Sequence, residues 1–136
     1  MKNKPWIGVD LDGTLAKQGV GPVWHGDKKE HRNFMGIGPI VEPMKERVEE
    51  WLAKGIEVRI LTARVAGVRH GILPEDNKEF IKDWLEFQGL PRLQVTSVKD
   101  FFMLELYDDR AVQVEFNTGR IIGESTMHHR RLFKQL

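Results

Sequence analysis

The apolar positions of the first half of the chain follow two different periods, and each period predicts a different element. An unbroken apolar run at 5–9 predicts a buried strand, and the segment 56–61 predicts another. Between them, apolar residues recur at helical spacing and predict a helix over 40–54 that ends at Gly55. The apolar helical positions are Ile40, Met44, Val48, Trp51 and Leu52.

A second helix is predicted further along the chain by its end signals and by one apolar face. Pro74 is typical of a first helical position, and Gly89 is typical of the residue after a helix. The apolar face between them consists of Phe80, Ile81, Trp84 and Leu85.

Shorter extended segments are predicted after this helix. Strands are expected at 93–96 and 103–107, and a hairpin is expected from 111–116 and 120–122 around Asn117-Thr118-Gly119. Strands that alternate with helices predict an α/β domain whose sheet is mainly parallel. We therefore expect a Rossmann-like three-layer sandwich with a C-terminal β-hairpin.

Two segments lack a sustained period. Residues 16–39 contain five glycines and two prolines, which favours a long loop or flap. Residues 124–136 include His128-His129-Arg130-Arg131 and predict a basic tail. Neither segment predicts a second core, so residues 1–136 are expected to form one domain.

Composition narrows the class of protein. The chain is 40% apolar and 30% charged, has a net charge of +1, and contains no cysteine. Without cysteine there is neither a disulfide framework nor thiol catalysis. No run approaches the ~20 apolar residues that span a bilayer. We expect a cytoplasmic protein without a membrane partner.

The candidate chemistry begins where the first strand ends. Asp10 and Asp12 are two residues apart in an extended chain, so both carboxylates point to one side, and Gly13 permits a turn. Paired carboxylates suit a hard cation such as Mg²⁺ or a shared proton. An ordinary turn or a calcium loop is the alternative; a calcium loop needs further acids, where the chain has Leu15 and Lys17.

More polar residues follow other predicted strands. Thr62 comes directly after one strand, and Asp108 and Asp109 come directly after another. Because ligands bind at the carboxyl edge of open α/β sheets, these residues and Asp10 are expected at one site.

Four short motifs follow one another between residues 10 and 109: Asp10-Leu11-Asp12-Gly13-Thr14, Leu61-Thr62, Lys99 and Asp108-Asp109. In this order they resemble the signature motifs of the haloacid dehalogenase-like (HAD) superfamily of phosphatases and phosphotransferases. The resemblance implies a HAD-like core and a hydrolase that cleaves phosphate esters.

The resemblance also implies roles for single residues. Asp10 would be the nucleophile that forms an aspartyl-phosphate, and Asp12 would be the general acid and base. The Thr62 hydroxyl and the Lys99 ammonium would stabilise charge on the phosphoryl group.

A Mg²⁺ site is implied as well. Its ligands would be Asp10, the backbone carbonyl of Asp12, and Asp109, with Asp108 sharing the metal or supporting it. The residues expected to contact the substrate are Gly13, Thr14, Ala63, Arg64 and Trp24.

Neither gap between the motifs is long enough for a cap domain, so the resemblance is to the capless members, with 16–39 as a lid candidate. Tyr107-Asp108-Asp109-Arg110 is similar to phosphatase domains that act on nucleotides and polynucleotide ends. The expected partner is a phosphorylated substrate, such as a nucleotide or a nucleic acid with a 3′-phosphate. A homo-oligomer, a phospho-ligand binding or scaffold module without turnover, and a phosphotransferase stay open as alternatives.

Overall fold

The fold is built from one parallel sheet and two helices. The computed structural model describes residues 4–19 and 36–123. The strands are β1 (Trp6–Val9), β2 (Glu57–Leu61), β3 (Val95–Thr96) and β4 (Met103–Tyr107). The helices are α1 (Glu42–Ala53) and α2 (Pro74–Phe87), and a 3₁₀ turn, Ala63–Val65, follows β2. The strand order is β3-β2-β1-β4 and every pairing is parallel, which confirms the α/β class.

Both helices end at the glycines that the sequence indicated. Gly55 has φ 77° and Gly89 has φ 84°. Glycine adopts this left-handed backbone conformation with little strain, because it has no Cβ atom. After α1, the N–H of Ile56 donates to the Trp51 carbonyl at 3.0 Å, and after α2 that of Leu90 donates to the Leu85 carbonyl at 2.9 Å. These bonds close a Schellman motif on each helix and satisfy its last carbonyl groups.

The core lies between the sheet and the two helices. The connections β1-α1-β2 and β2-α2-β3 advance in the same direction across the sheet, and such crossovers are right-handed, so α1 and α2 share one face. Val9, Ile60, Val48 and Trp84 are fully buried in the resulting cluster.

The opposite face of the sheet is crossed by an extended connection. Trp6 Nε1 donates to Asp100 Oδ1 at 2.8 Å, and the Arg59 guanidinium lies 4.5 Å from the centre of the Trp6 ring. Within the described ranges no helix covers this face. The described part of the fold therefore has two layers, the sheet and one layer of helices, rather than the three layers that we expected.

The two ends of the 16–39 segment belong to the folded core. Ala16 and Ile37 have no exposed surface. The N–H of Lys17 donates to the Pro39 carbonyl at 2.8 Å, and the N–H of Val41 donates to the Leu15 carbonyl at 2.7 Å. The central part of this segment, including Trp24, lies outside the described residues.

The predicted hairpin is present as one antiparallel bridge between Val114 and Ile121 rather than as two strands. Asn117, with φ 63°, lies in the turn between them. The predicted tail, 124–136, lies outside the described residues. Neither helix in the described part of the chain is long and apolar enough to cross a membrane.

Candidate functional site

The strand ends bring the candidate residues to one edge of the sheet. Val9 of β1 pairs with Tyr107 of β4 and with Ile60 of β2, so all three strands end at the same level. The N–H of Asp10 continues this ladder by donating to the Tyr107 carbonyl at 2.9 Å. The first, second and fourth motifs therefore follow three adjacent strands.

Three carboxylates form a compact group at this edge. Asp10, Asp108 and Asp109 each offer an oxygen, and these oxygens lie within 4.8 Å of one another. Burial, a hydrogen bond with Asp109 and the nearby charges of Asp108 and Asp109 raise the pKa of Asp10 from 3.8 to about 8. A divalent cation bound by these oxygens would offset the repulsion between the three carboxylates. Carboxylate oxygens are the ligands that Mg²⁺ prefers.

Thr14 connects the first motif to the fourth. Its hydroxyl donates to Asp109 Oδ1 at 3.0 Å, lies 3.4 Å from Asp10 Oδ2, and accepts the backbone N–H of Asp109 at 3.1 Å. Thr14, which we expected to contact the substrate, therefore holds the two carboxylate-bearing segments in register.

Gly13 occupies a position that a larger residue does not fit. Its φ is 90°, and a Cβ atom there would lie 2.6 Å from Asp109 Oδ2. Its N–H donates to the Ala16 carbonyl at 2.8 Å. Glycine thus permits both the turn and the close approach of Asp109.

Replacement of Gly13 by alanine is expected to cost about 2 kcal/mol of stability and to weaken the binding of a divalent cation by the three carboxylates. The methyl group adds backbone strain and displaces the Asp109 carboxylate. Urea unfolding and titration calorimetry with Mg²⁺ measure the two effects, and Gly119→Ala is the matched control, because Gly119 also has positive φ (76°) with open space around it. Equal loss of cation binding in the two variants would contradict the importance of the Asp109 contact.

Asp12 is held by a bidentate ion pair. Arg64 Nε lies 2.6 Å from Asp12 Oδ2, and Arg64 Nη2 lies 2.7 Å from Asp12 Oδ1. Arg64 is itself buried and belongs to the 3₁₀ turn. The Thr62 hydroxyl accepts the Arg64 N–H at 3.1 Å, and the buried Asn77 amide donates to the Arg64 carbonyl at 3.0 Å. The backbone that carries the guanidinium is therefore fixed from two sides.

An open cleft of about 540 Å³ lies at the edge of the sheet that carries Asp10 and Asp12. Of the residues that the sequence indicated, Asp10, Asp12, Thr62, Ala63, Arg64 and Asp108 line it. Gly13, Thr14 and Asp109 are not among its lining residues. Lys99 does not line the cleft: it is exposed in the connection between β3 and β4, from which Ser97 reaches the cleft instead.

Sequence reasoning did not settle two features of the cleft. Arg69 and Arg110 line it; the sequence leaves Arg69 open between a surface charge and a substrate contact, and Arg110 was noted only as part of a four-residue similarity. The pairing of Asp12 with Arg64 joins residues 52 positions apart. The position of Arg64 two residues after Thr62 was the one available signal for this pairing.

Comparisons of the chain with protein-family models, with curated proteins and with solved structures found no match.

Proposed function

We propose that the protein is a HAD-like, Mg²⁺-dependent phosphomonoesterase that works through an aspartyl-phosphate. The observation that carries this proposal is the grouping of Asp10, Asp108 and Asp109 at the carboxyl edge of the sheet, with Thr62 lining the same cleft. A lone carboxylate cluster is common on protein surfaces. Here the cluster coincides with motifs in the order of a phosphatase superfamily.

In the first half-reaction, an Asp10 oxygen attacks phosphorus and the bond from phosphorus to the leaving oxygen breaks. Asp12 gives its proton to that oxygen. In the second, Asp12 takes a proton from water, the water oxygen attacks phosphorus, and the bond from Asp10 to phosphorus breaks. Inorganic phosphate leaves, and both aspartates return to their starting states.

Mg²⁺ would be held by Asp10, Asp109 and the Asp12 carbonyl, with Asp108 beside them, and it would supply positive charge to the crowded carboxylates and the phosphate ester. Thr14 would keep Asp109 in place for this task, since its hydroxyl contacts one Asp109 oxygen.

The geometry of the ion pair with Arg64 leaves room for a proton on Asp12. A carboxylate has about four lone-pair sites, and the guanidinium uses one on each oxygen. Asp12 therefore keeps a site on each oxygen for a proton, while Arg64 fixes the orientation of the carboxylate.

The Thr62 hydroxyl can bind a phosphoryl oxygen without a change of partner. It accepts the Arg64 N–H, and its own hydrogen stays available to donate into the cleft. The role proposed for Lys99 needs its flexible side chain to reach over the cleft rim, since Lys99 lies outside the lining.

The experiment is release of phosphate from p-nitrophenyl phosphate in Mg²⁺ and in EDTA. We expect release only with Mg²⁺, and we expect Asp10→Asn to abolish it. Asp76→Asn is the matched control, because Asp76 is an exposed carboxylate in the first turn of α2, away from the cleft.

Two outcomes would replace the proposal by an alternative. Tight phosphate binding without turnover by the folded protein would indicate a binding module. Transfer to an added alcohol in large excess over hydrolysis would indicate a phosphotransferase.

A further inference from the structure

The cleft holds two arginines for which the proposed chemistry has no role. Arg69 and Arg110 line it together with Asp10, whereas the charge of Arg64 is already opposed by Asp12. Neither Arg69 nor Arg110 forms an ion pair with a carboxylate in the ranges 4–19 and 36–123. Both guanidinium groups are therefore available to an anionic ligand.

The backbone at Arg69 is fixed by a tight turn. Arg69 and Ile72 exchange two backbone hydrogen bonds, of 3.0 and 2.9 Å, and form an antiparallel bridge. The two residues between them, His70 and Gly71, have φ 52° and 75°. Positive φ at both central positions is typical of the type I′ turn, which closes a two-residue hairpin. A non-glycine residue is thus kept in an uncommon conformation next to Arg69.

The backbone at Arg110 is fixed by the acidic group itself. Its N–H donates to Asp108 Oδ1 at 2.7 Å. Arg110 follows β4 and Arg69 follows β2, and these strands are the two neighbours of β1. The two arginines therefore belong to segments that follow the strands on either side of β1, which leads into Asp10.

The size of the cleft favours a ligand larger than one phosphoryl group. Its volume of about 540 Å³ falls within the range of roughly 300–1,000 Å³ that is usual for pockets that bind small organic ligands. Arginine presents a planar fork of donors that matches two phosphate oxygens. Two such forks beside a site for one phosphate indicate a ligand with further negative charge.

We propose that Arg69 and Arg110 bind a second phosphate group of the substrate. The preferred substrate is then a phosphomonoester that carries another phosphate. This inference rests on the proposed phosphatase function and specifies its substrate class. The second group can be a phosphomonoester of a small bisphosphate or the phosphodiester next to the 3′-phosphate of a nucleic acid, since both offer the same anionic oxygens.

The test compares substrates with and without a second phosphate. Values of kcat and KM are measured for a nucleoside 3′-monophosphate, the matching nucleoside 3′,5′-bisphosphate and a 3′-phosphorylated dinucleotide. We expect kcat/KM to be about tenfold higher with a second phosphate, mainly through a lower KM. A tenfold gain corresponds to the free energy of about one hydrogen bond between charged groups. A gain for the bisphosphate alone would identify a small-molecule substrate, and a gain for the dinucleotide would identify a nucleic-acid end.

Variants then assign the preference to residues. Arg69→Gln and Arg110→Gln should each reduce, several-fold, the ratio of kcat/KM for a substrate with a second phosphate to kcat/KM for the nucleoside 3′-monophosphate. Arg47→Gln should leave the ratio unchanged, because Arg47 is an exposed arginine of α1 outside the cleft. An equal loss of kcat/KM for substrates with and without the second phosphate would overturn the inference and assign the arginines to the reacting phosphate.

Failure of the inference differs from failure of the proposed function. Hydrolysis of all three substrates without preference would leave the phosphatase standing and remove the second-phosphate site. Absence of any hydrolysis would remove the phosphatase. Titration calorimetry with the monophosphate and the bisphosphate would then decide the second site. Tighter binding of the bisphosphate that is lost in Arg69→Gln supports the site, and equal binding overturns it.

Discussion

Asp10→Asn is expected to lower Mg²⁺-dependent phosphate release at least about a thousandfold. An amide oxygen is a poor nucleophile, and the uncharged side chain is a weak ligand for a hard cation. The other carboxylates do not replace it, because Asp12 is held by Arg64 and Asp109 by Thr14. Single-turnover and steady-state release of phosphate measure the loss. Retention of more than a few per cent of the turnover would exclude Asp10 as the nucleophile.

The same substitution should stabilise the metal-free protein at pH 8. Folding raises the pKa of Asp10 from 3.8 to about 8, so the folded state binds more protons than the unfolded state between these values. Stability is therefore lost as the pH rises from about 4 to about 8. Asparagine resembles the protonated acid and does not titrate. Since Asp10 is partly exposed, solvent screening limits the gain to the order of 2 kcal/mol at pH 8.

Urea unfolding in EDTA at pH 5 and pH 8 tests this effect through the difference between wild type and variant. The difference should be small at pH 5 and grow towards pH 8. Addition of Mg²⁺ at pH 8 should then stabilise the wild type more than the variant. A difference that does not depend on pH would contradict the raised pKa.

Arg64→Met is expected to destabilise the protein by about 3 kcal/mol and to reduce kcat about a hundredfold. Removal of one partner from a largely buried ion pair leaves the other charge uncompensated. Only 7% of the Arg64 side chain and 22% of the Asp12 side chain are exposed. The loss of kcat follows because Asp12 no longer has a fixed orientation, and small displacements of a reacting group cost about this factor. Urea unfolding and kcat at saturating substrate measure both effects.

Arg92→Met is the matched control for this substitution. Arg92 likewise forms ion pairs through two guanidinium nitrogens, with Asp83 at 2.6 Å and Glu79 at 2.7 Å, but it is more exposed and lies outside the cleft. Exposed pairs contribute little, so we expect a loss below about 1 kcal/mol and normal turnover. Arg64→Lys should recover part of the stability without restoring kcat, because an ammonium group lacks the fork. Full recovery of kcat in Arg64→Lys would show that charge alone is needed.

Local patterns were sufficient to predict most elements. Helix ends depend on local backbone geometry, and therefore Gly55 and Gly89 marked them correctly. The strand at 103–107 was predicted with its observed bounds. The strand expected at 93–96 is limited to Val95–Thr96, because only these residues pair with β2.

Long-range packing decided features that local patterns do not encode. Residues 16–39 lack a period and were interpreted as a flap, yet Ile37 is fully buried. Its burial depends on contacts made by the whole domain rather than on its sequence neighbours. Likewise, neither the one-sided helix layer nor the single bridge of the hairpin follows from periodicity, since both depend on which segments pair.

By itself, the sequence determined the α/β class and the carboxylates that follow the strands, because strand ends and residue order are local properties. Tertiary structure alone decided which polar groups meet: the pairing of Arg64 with Asp12, the contact of Thr14 with Asp109, and the presence of Arg69 and Arg110 in the cleft of Asp10. The first two contacts join residues 52 and 95 positions apart. They depend on the order of strands in the sheet, which brings distant loops to one edge and which a linear pattern does not specify.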